Sequence, residues 1–309
     1  MKTKPFFKTN IVRKLEFLLI AFSLFIFSSC CKDCECKHNC PEEPEFDYTN
    51  YFIAHAGGTI DGYIYTNCLE ALDLSYSKGC KLFELDLVVT ADGKIVAAHD
   101  WENFKIMTNY PGTIDDNPLA EKEFLSLKIY DKYTPLNMKA INQWFEDHPD
   151  AILVTDKIND PQRIYNEFLF RDRLIMELFS WKAVDKAITL GIKPMVSSFL
   201  FFETPNFEKI FEDKKIEYIC MGRYQMAGYK ELFRRLKVKG IKNYVWSLEW
   251  PINGQPAEEH VWNYEMSYYY GMYANDLDLL ESLLKGQPTK KREPVIYKNP
   301  YGIDFNKMK

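Results

Sequence analysis

The sequence predicts a (β/α)8 TIM barrel of parallel strands, and two observations lead to this prediction. Short apolar runs rich in β-branched and aromatic residues alternate with helical segments, which is typical of a parallel sheet. The region that alternates in this way, 51–285, has the length of one such barrel. A doubly wound open sheet is the alternative architecture for the same pattern.

Nine apolar runs are predicted to be strands: 51–55, 81–88, 94–98, 151–155, 173–179, 193–197, 217–221, 243–248 and 272–275. Helical segments fit between most of them: 67–78, 138–148, 161–168, 181–190, 206–213, 228–239, 258–270 and 276–285. A barrel needs eight strands, and the run 217–221 is the weakest of the nine predicted strands. The stretch 101–136 carries many Asn, Asp, Pro and Gly residues, so it is predicted to be an inserted excursion after the third strand.

The first 29 residues resemble a bacterial lipoprotein signal peptide. A basic segment precedes the apolar run FLLIAFSLFIFSS (17–29), which is too short to span a bilayer comfortably. The run ends in FSSCC, so Cys30 is predicted to be the lipidated residue and Cys31 is the other register. An ordinary cleaved signal or an uncleaved anchor is the alternative. We therefore expect a lipid-anchored protein of the bacterial cell envelope, either periplasmic or surface-exposed.

The segments that flank the predicted barrel differ from it in composition. Five of the eight cysteines lie within 30–40, where an oxidising exterior favours disulfides and a small metal site with His38 is the alternative. Residues 30–50 are thus predicted to be a Cys-rich tether and linker, and 286–309 a C-terminal tail. The other cysteines, Cys68, Cys80 and Cys220, are predicted to be buried free thiols.

Two carboxylates in the second predicted strand indicate a metal site. Glu84 and Asp86 lie two residues apart, so their side chains share one face of the strand. Two carboxylates that point into a barrel repel each other unless a cation lies between them. Oxygen ligands suit a hard divalent cation, Mg²⁺ or Ca²⁺. The alternative is an exposed strand edge on which both carboxylates pair with Lys or Arg.

Two histidines end the first and third predicted strands, at His55 and His99. Because the carboxyl ends of barrel strands face the active site, both histidines should converge on the carboxylate pair. Two imidazoles that titrate near neutrality suit general acid and base catalysis. Gly57 and Gly58 follow His55 directly and would let backbone N–H groups approach a phosphate.

Four motifs occur in a defined order: HAGG (55–58), YTNCLEA (65–71), ELDLVVTADG (84–93) and AAHD (97–100). Weaker matches follow at LFSWKAV (178–184), YVWSLEW (244–250) and GMYANDL (271–277). Together they resemble the glycerophosphodiester phosphodiesterases over about 51–280. The resemblance implies a TIM barrel that hydrolyses phosphodiesters with one divalent metal, in which His55 and His99 are the acid–base pair. It also implies that Glu84 and Asp86 are metal ligands and that a cyclic phosphate forms and is then opened by water.

The sequence departs from the family pattern at two places. Members usually carry Arg after the first histidine, where this chain has Ala56. Their third metal ligand is a Glu two residues before a Lys. If Lys157 is that lysine, Thr155 occupies the ligand position and Asp156 stands beside it. We expect Asp156 to be the ligand, although adjacent strand residues face opposite ways; a cap on the following turn is the alternative.

The pattern predicts an enzyme that hydrolyses a glycerophosphodiester-like substrate. Lys157 and Trp246 are the other expected substrate contacts, and Trp246 could stack on a headgroup, hold a cation over its ring or pack in the core. One alternative function is phospholipase C- or D-like cleavage of intact lipid, and another is a non-catalytic ligand-binding lipoprotein. The net charge of −5 gives no basic surplus that would favour nucleic acid as a partner. The expected partners are a small-molecule or lipid-headgroup diester and, through the anchor, the membrane.

Overall fold

The computed structural model describes residues 48–249, 251–252, 256–275 and 277–284. The predicted signal peptide, Cys30, all but the last residues of the predicted tether, and the C-terminal tail lie outside these residues. No helix in the described part of the chain is long and apolar enough to cross a membrane.

The described chain folds into a closed parallel barrel, as predicted. Nine strands form: β1 (Phe52–Ala54), β2 (Leu82–Val89), β3 (Ile95–Ala97), β4 (Ile152–Asp156), β5 (Leu174–Leu178), β6 (Lys193–Ser197), β7 (Tyr218–Gly222), β8 (Lys242–Trp246) and β9 (Gly271–Ala274). All except β3 pair in parallel with their neighbours, and β1 pairs with both β2 and β9. The sheet is therefore a ring of eight strands, and the open-sheet alternative is wrong.

The strand outside the ring is β3 and not 217–221. β3 pairs antiparallel with the end of β2, with Leu87 opposite Ala97. Only residues 90–94 separate the two strands, too few for the crossover that a parallel pair requires. The run 217–221, the weakest predicted strand, coincides almost entirely with the barrel strand β7.

Eleven α-helices lie within the described residues: α1 (Leu69–Ser77), α2 (Trp101–Met107), α3 (Glu121–Ser126), α4 (Met138–Asp147), α5 (Pro161–Glu167), α6 (Trp181–Thr189), α7 (Ser198–Phe202), α8 (Phe207–Lys214), α9 (Met226–Val238), α10 (Ala257–Tyr264) and α11 (Leu277–Leu284). The helix predicted over 258–270 is shorter, because it ends at Tyr264. The excursion contains α2 and α3, which were not predicted. These helices pack around their own buried aromatic cluster, in which the rings of Phe104 and Phe124 stack at 4.3 Å.

The barrel interior is apolar toward the amino ends of the strands and acidic toward their carboxyl ends. One buried cluster takes residues from alternate positions of all eight barrel strands: Ile53, Leu82, Val154, Ile175, Met195, Tyr218, Cys220, Tyr244 and Tyr273. The next inward-facing positions toward the carboxyl ends of β2, β4 and β5 carry acidic side chains. Since alternate strand residues share a face, the strand pattern directs these carboxylates to the mouth of the barrel.

Candidate active site

A pocket of about 350 Å³ lies at the carboxyl ends of the barrel strands. Its polar lining comprises Glu84, Asp86, Asp156, Glu177, Glu249, Lys157, Ser247, His55 and His99, and its aromatic lining comprises Tyr65, Phe179, Phe199, Trp246 and Tyr273. The structure thus brings together both predicted catalytic histidines, all three predicted metal ligands, and Lys157 and Trp246. Gly57 and Gly58 are not among the residues that line this pocket.

Three carboxylates form a compact cluster at the base of the pocket. One oxygen each of Glu84, Asp86 and Asp156 lies within 4.8 Å of the others. Oδ1 of Asp156 is buried and has no hydrogen-bond partner among the described residues. Burial and the charge of Asp86 raise the pKa of both Glu84 and Asp156 well above their usual values. Buried, mutually repelling oxygen ligands with an unsatisfied acceptor fit a hard divalent cation.

The structure explains how Asp156 reaches the cluster. Asp156 is the last residue of β4 and is paired with Asp86 across the sheet, so the two side chains share the inward face. Thr155 faces the other way, and its hydroxyl donates to the carbonyl of Leu85 at 2.9 Å. Lys157 then adopts a left-handed conformation, with φ of 62°, and its side chain also lines the pocket. The strand end therefore presents two adjacent residues to one site, which strict alternation would forbid.

Asp86 is the carboxylate of the cluster that is held in its charged form. Asn67 binds it with its side-chain amide, and the ammonium of Lys157 lies 3.5 Å from its Oδ1. Burial opposes ionisation, but His99, Lys157 and Asn67 together lower the pKa of Asp86 below its usual value. The same lysine has a raised pKa: burial acts against its charge, and the carboxylates more than offset that cost.

His99 reaches the pocket from the antiparallel hairpin. We expected it at the end of a parallel barrel strand. Instead, β3 runs antiparallel to the carboxyl end of β2, and His99 follows β3 at the mouth of the barrel. Its Nδ1 lies 2.6 Å from Oδ2 of Asp100, and its Nε2 lies 3.2 Å from Nζ of Lys157. The contact with Asp100 keeps a proton on Nδ1, so Nε2 is the ring nitrogen that can exchange a proton with a substrate.

Asp100 is fixed at the same time by the helix that follows it. It is the N-cap of α2, and its Oδ1 accepts from the backbone N–H of Asn103 at 2.7 Å. Burial opposes its charge, yet His99 and Asn103 bring the pKa of Asp100 down to about 2. A permanently charged carboxylate therefore orients the imidazole of His99.

His55 lies across the pocket at the end of β1. Its ring meets the ring of Tyr65 edge-on at 4.9 Å, and Tyr65 meets His99 in the same way at 5.2 Å. Burial lowers the pKa of His55, although nearby carboxylates, Glu249 first, oppose this effect. A histidine with a lowered pKa is neutral at pH 7 and can accept a proton.

The two glycines after His55 have a backbone role. Gly57 and Gly58 have φ values of 81° and 104°, which only glycine adopts without strain. The N–H of Gly58 donates to the carbonyl of His55 at 2.7 Å, so it is already used within the turn. Ala56 has φ of 49° and is fully buried, and its N–H donates to Glu84 at 2.7 Å. The turn therefore binds a carboxylate of the acidic cluster, and the phosphate contact expected of Gly57 and Gly58 stays a prediction.

Sequence reasoning missed several pocket residues. Glu177 lies at an inward position of β5, inside the apolar run LIMEL, and burial raises its pKa. A carboxylate within an apolar strand was the signal that identified Glu84, and it would have identified Glu177 as well. Tyr65 and Glu249 lie in loops, far apart in the chain, and no periodic pattern indicates them.

Comparisons with known proteins point to one family. Residues 57–160 match the model of the glycerophosphoryl diester phosphodiesterase family. YhdW of Bacillus subtilis (strain 168), assigned by name to the glycerophosphodiester phosphodiesterases, is 24% identical over 226 residues, which cover 66% of this chain and 87% of YhdW.

Solved structures share the fold. A glycerophosphodiester phosphodiesterase from Thermotoga maritima superposes with a TM-score of 0.57 at 22% identity, over 75% of this chain and 97% of that one. A phosphodiesterase from Oleispira antarctica gives a TM-score of 0.58 at 16% identity, over 78% of this chain and 99% of that one.

The fold, the family match and the pocket together define a phosphoric diester hydrolase built on a TIM barrel. Over residues 57–160 the chain resembles the glycerophosphoryl diester phosphodiesterase family. The alternative of a non-catalytic binding protein is therefore not supported.

Proposed function

We propose that this protein hydrolyses glycerophosphodiesters, with His55 and His99 as the acid–base pair and a divalent cation bound by Glu84, Asp86 and Asp156. The observation that supports this best is the carboxylate cluster itself, whose oxygens lie within 4.8 Å of one another in the pocket that both histidines line. Either Mg²⁺ or Ca²⁺ suits an all-oxygen donor set. When bound, the cation would polarise a phosphate oxygen and offset the charge that develops on it.

The two histidines suit complementary roles. His55 is neutral at pH 7 because burial lowers its pKa, so we assign to it the proton of the attacking hydroxyl, a neighbouring hydroxyl of the substrate. His99 acts as the acid in its imidazolium form, which carries one proton on Nδ1 against Asp100 and one on Nε2. It gives the Nε2 proton to the leaving alkoxide, and the charged Asp100 stabilises the imidazolium before that transfer. The resulting cyclic phosphate is opened by water, with the two roles reversed. Lys157 lies beside His99 and Asp86, where its charge can contact the phosphate.

The expected product follows from a relative. The Oleispira antarctica phosphodiesterase was solved in complex with the product sn-glycerol-3-phosphate, and we propose the same product here.

Purified protein should release glycerol phosphate from a glycerophosphodiester when Mg²⁺ or Ca²⁺ is present. His99→Ala should lower kcat by about 10²–10⁴-fold. His148→Ala is the matched control, because His148 stacks on Trp144 outside the pocket. Equal turnover by wild type and His99→Ala would refute the catalytic assignment.

A phospholipase-like activity is the second candidate, and one observation favours it. Three aromatic side chains beside the pocket are exposed: Phe179 by 37%, Phe199 by 52% and Tyr224 by 61%. Exposed aromatics at a site mouth can contact acyl chains or the membrane interface. Micelles of 1-acyl-lysophosphatidylcholine, which keeps a free hydroxyl next to the phosphate, should be compared with glycerophosphocholine as substrates. Hydrolysis of the lysolipid at a comparable kcat/KM would favour the lipid as substrate, and hydrolysis of glycerophosphocholine alone would exclude it.

The cellular location is a separate proposal. We infer from FSSCC (27–31) that the mature protein is attached to the bacterial envelope through a lipid on Cys30. Labelling of cells with a palmitate analogue should modify the wild type and not Cys30→Ser. Labelling of both the wild type and Cys30→Ser would mean that another residue carries the lipid, and Cys31 would be tested first.

A further inference from the structure

The residues that line the pocket indicate which kind of alcohol the substrate contains. This inference rests on the proposed function. We propose that the site prefers phosphodiesters whose alcohol carries an ammonium cation, as choline and ethanolamine do, and that Glu249 and Trp246 bind this cation. Three observations lead to the proposal: the charge of the pocket, the environment of Glu249 and the aromatic side chains that line the same pocket.

The charge of the pocket favours a cationic substrate group. Five carboxylates and one lysine line it, and no arginine is among its described lining residues. A divalent cation in the carboxylate cluster would offset only part of this excess, and the diester adds a further negative charge. In a partly buried site these charges are poorly screened. An anionic alcohol would add to the repulsion, whereas an ammonium alcohol would reduce it.

Glu249 lies in the pocket but is not one of the three carboxylates of the proposed metal cluster. It follows β8, is only 7% exposed and lines the pocket. Its Oε1 accepts from the hydroxyl of Tyr65 at 2.9 Å. His55 is the only charged or ionisable cation within ion-pair distance among the described residues, at 3.6 Å, which is too long for a hydrogen bond. A buried carboxylate without a fixed cation is costly, and a cation from the substrate would complete this environment.

Aromatic side chains line the same pocket as Glu249. Trp246 ends β8 three residues before Glu249 and lines the same pocket. The ring of Phe199 lies 6.5 Å from that of Trp246, and Tyr224 meets Trp246 edge-on at 5.7 Å. Tryptophan is the strongest partner for a cation over an aromatic face. A carboxylate and an indole in one pocket are the two groups that recognise an alkylammonium.

The first experiment compares substrates that differ in the charge of the alcohol. For the full-length, metal-loaded protein, kcat/KM for glycerophosphocholine and glycerophosphoethanolamine should exceed that for the neutral glycerophosphoglycerol at least tenfold. Equal values would overturn the preference and leave the proposed function intact. Failure to hydrolyse any diester would count against the proposed function itself.

A binding experiment tests the cation site without turnover. Choline and its neutral isostere 3,3-dimethylbutan-1-ol should be titrated calorimetrically into the metal-loaded protein. We expect choline to bind at least tenfold more tightly. Equal affinity, or no binding of choline, would overturn the proposal. Tight choline binding without hydrolysis of any diester would support the cation site and refute the proposed function.

Variants locate the cation site. Glu249→Gln keeps the size of the side chain, and Trp246→Leu removes the aromatic face. Each should lower the choline-to-glycerol ratio of kcat/KM about tenfold. Glu203→Gln is the matched control, because Glu203 is an exposed carboxylate outside the pocket lining, and it should leave the ratio unchanged. If Glu249→Gln lowered kcat/KM for both substrates equally, Glu249 would only position His55, and the proposal would be refuted.

Discussion

Asn67 and Asp86 hold each other through two hydrogen bonds that run in opposite directions. Nδ2 of Asn67 donates to Oδ2 of Asp86 at 2.9 Å, and the backbone N–H of Asp86 donates to Oδ1 of Asn67 at 3.0 Å. Asn67 is fully buried and adopts φ of 50°, a left-handed conformation that Asn tolerates. One amide therefore fixes both the position of the strand and the orientation of a proposed metal ligand.

The first prediction concerns this clamp. Asn67→Ala should weaken Mg²⁺ or Ca²⁺ binding by about 10–100-fold, because an oriented ligand loses its supporting partner. It should also destabilise the fold by about 1–3 kcal/mol, since the N–H of Asp86 is left buried and unpaired. Calorimetric titration and urea unfolding measure the two effects. Asn142→Ala is the matched control. The side chain of Asn142 also donates one hydrogen bond and accepts one, in its case with two backbone groups outside the site. Equal metal affinities in the two variants would contradict the prediction.

The second prediction concerns pH and metal. Burial and repulsion by Asp86 raise the pKa of Glu84 and Asp156, so in the metal-free protein they bind protons more tightly folded than unfolded. Their contribution to stability is fully present below about pH 4 and is lost as the pH rises through the raised pKa values. Metal binding must displace these protons, so affinity should fall on acidification.

The measurement for this prediction is urea unfolding at pH 5 and pH 8, with and without metal. Because the lowered pKa of His55 also makes stability depend on pH, the comparison is between wild type and Glu84→Gln. The variant should lose less stability than wild type between pH 5 and pH 8 without metal. Calorimetry in two buffers of different ionisation enthalpy should also show proton release when metal binds to the wild type. Identical pH profiles for the two proteins would refute the proposed burial effect.

The third prediction separates the two roles of Asp100. Asp100→Asn keeps a side chain that caps α2, so the melting temperature should change little. It removes the charge that orients His99 and stabilises its imidazolium, so kcat should fall by about 10²–10³-fold, within the usual range for acid–base catalysis. Asp160→Asn is a close control, because Asp160 caps α5 without contacting a histidine. If both variants kept wild-type kcat, Asp100 would be a helix cap and nothing more.

Much of the fold was predictable because the signals were local. Alternating strand and helix patterns predicted the barrel, and the Glu84–Asp86 spacing predicted an inward-facing pair. Strand 95–97 was misplaced because its apolar composition matches that of a barrel strand. Only the short connection 90–94 shows that it must pair antiparallel with β2.

Strand patterns alone could not explain parts of the site, because these parts depend on single backbone conformations or on contacts between distant residues. Asp156 and Lys157 share one pocket through the positive φ of Lys157, which no strand pattern indicates for a lysine. The contact between Tyr65 and Glu249 joins residues 184 positions apart. The barrel brings such loops together, and their composition gives no sign of it.

The last prediction concerns the three described cysteines. Cys68, Cys80 and Cys220 are free and buried, as expected from the sequence. Burial raises the pKa of Cys68 to about 11 and that of Cys80 to about 12, and it raises the pKa of Cys220 as well. A thiol reacts as its thiolate, so at pH 8 iodoacetamide should leave all three unmodified in the native protein and modify them in 6 M guanidinium. Peptide mass spectrometry distinguishes them from the cysteines of 30–40. Rapid native labelling of Cys220 would mean that the barrel interior opens to solvent, because this thiol lies beneath the carboxylate cluster.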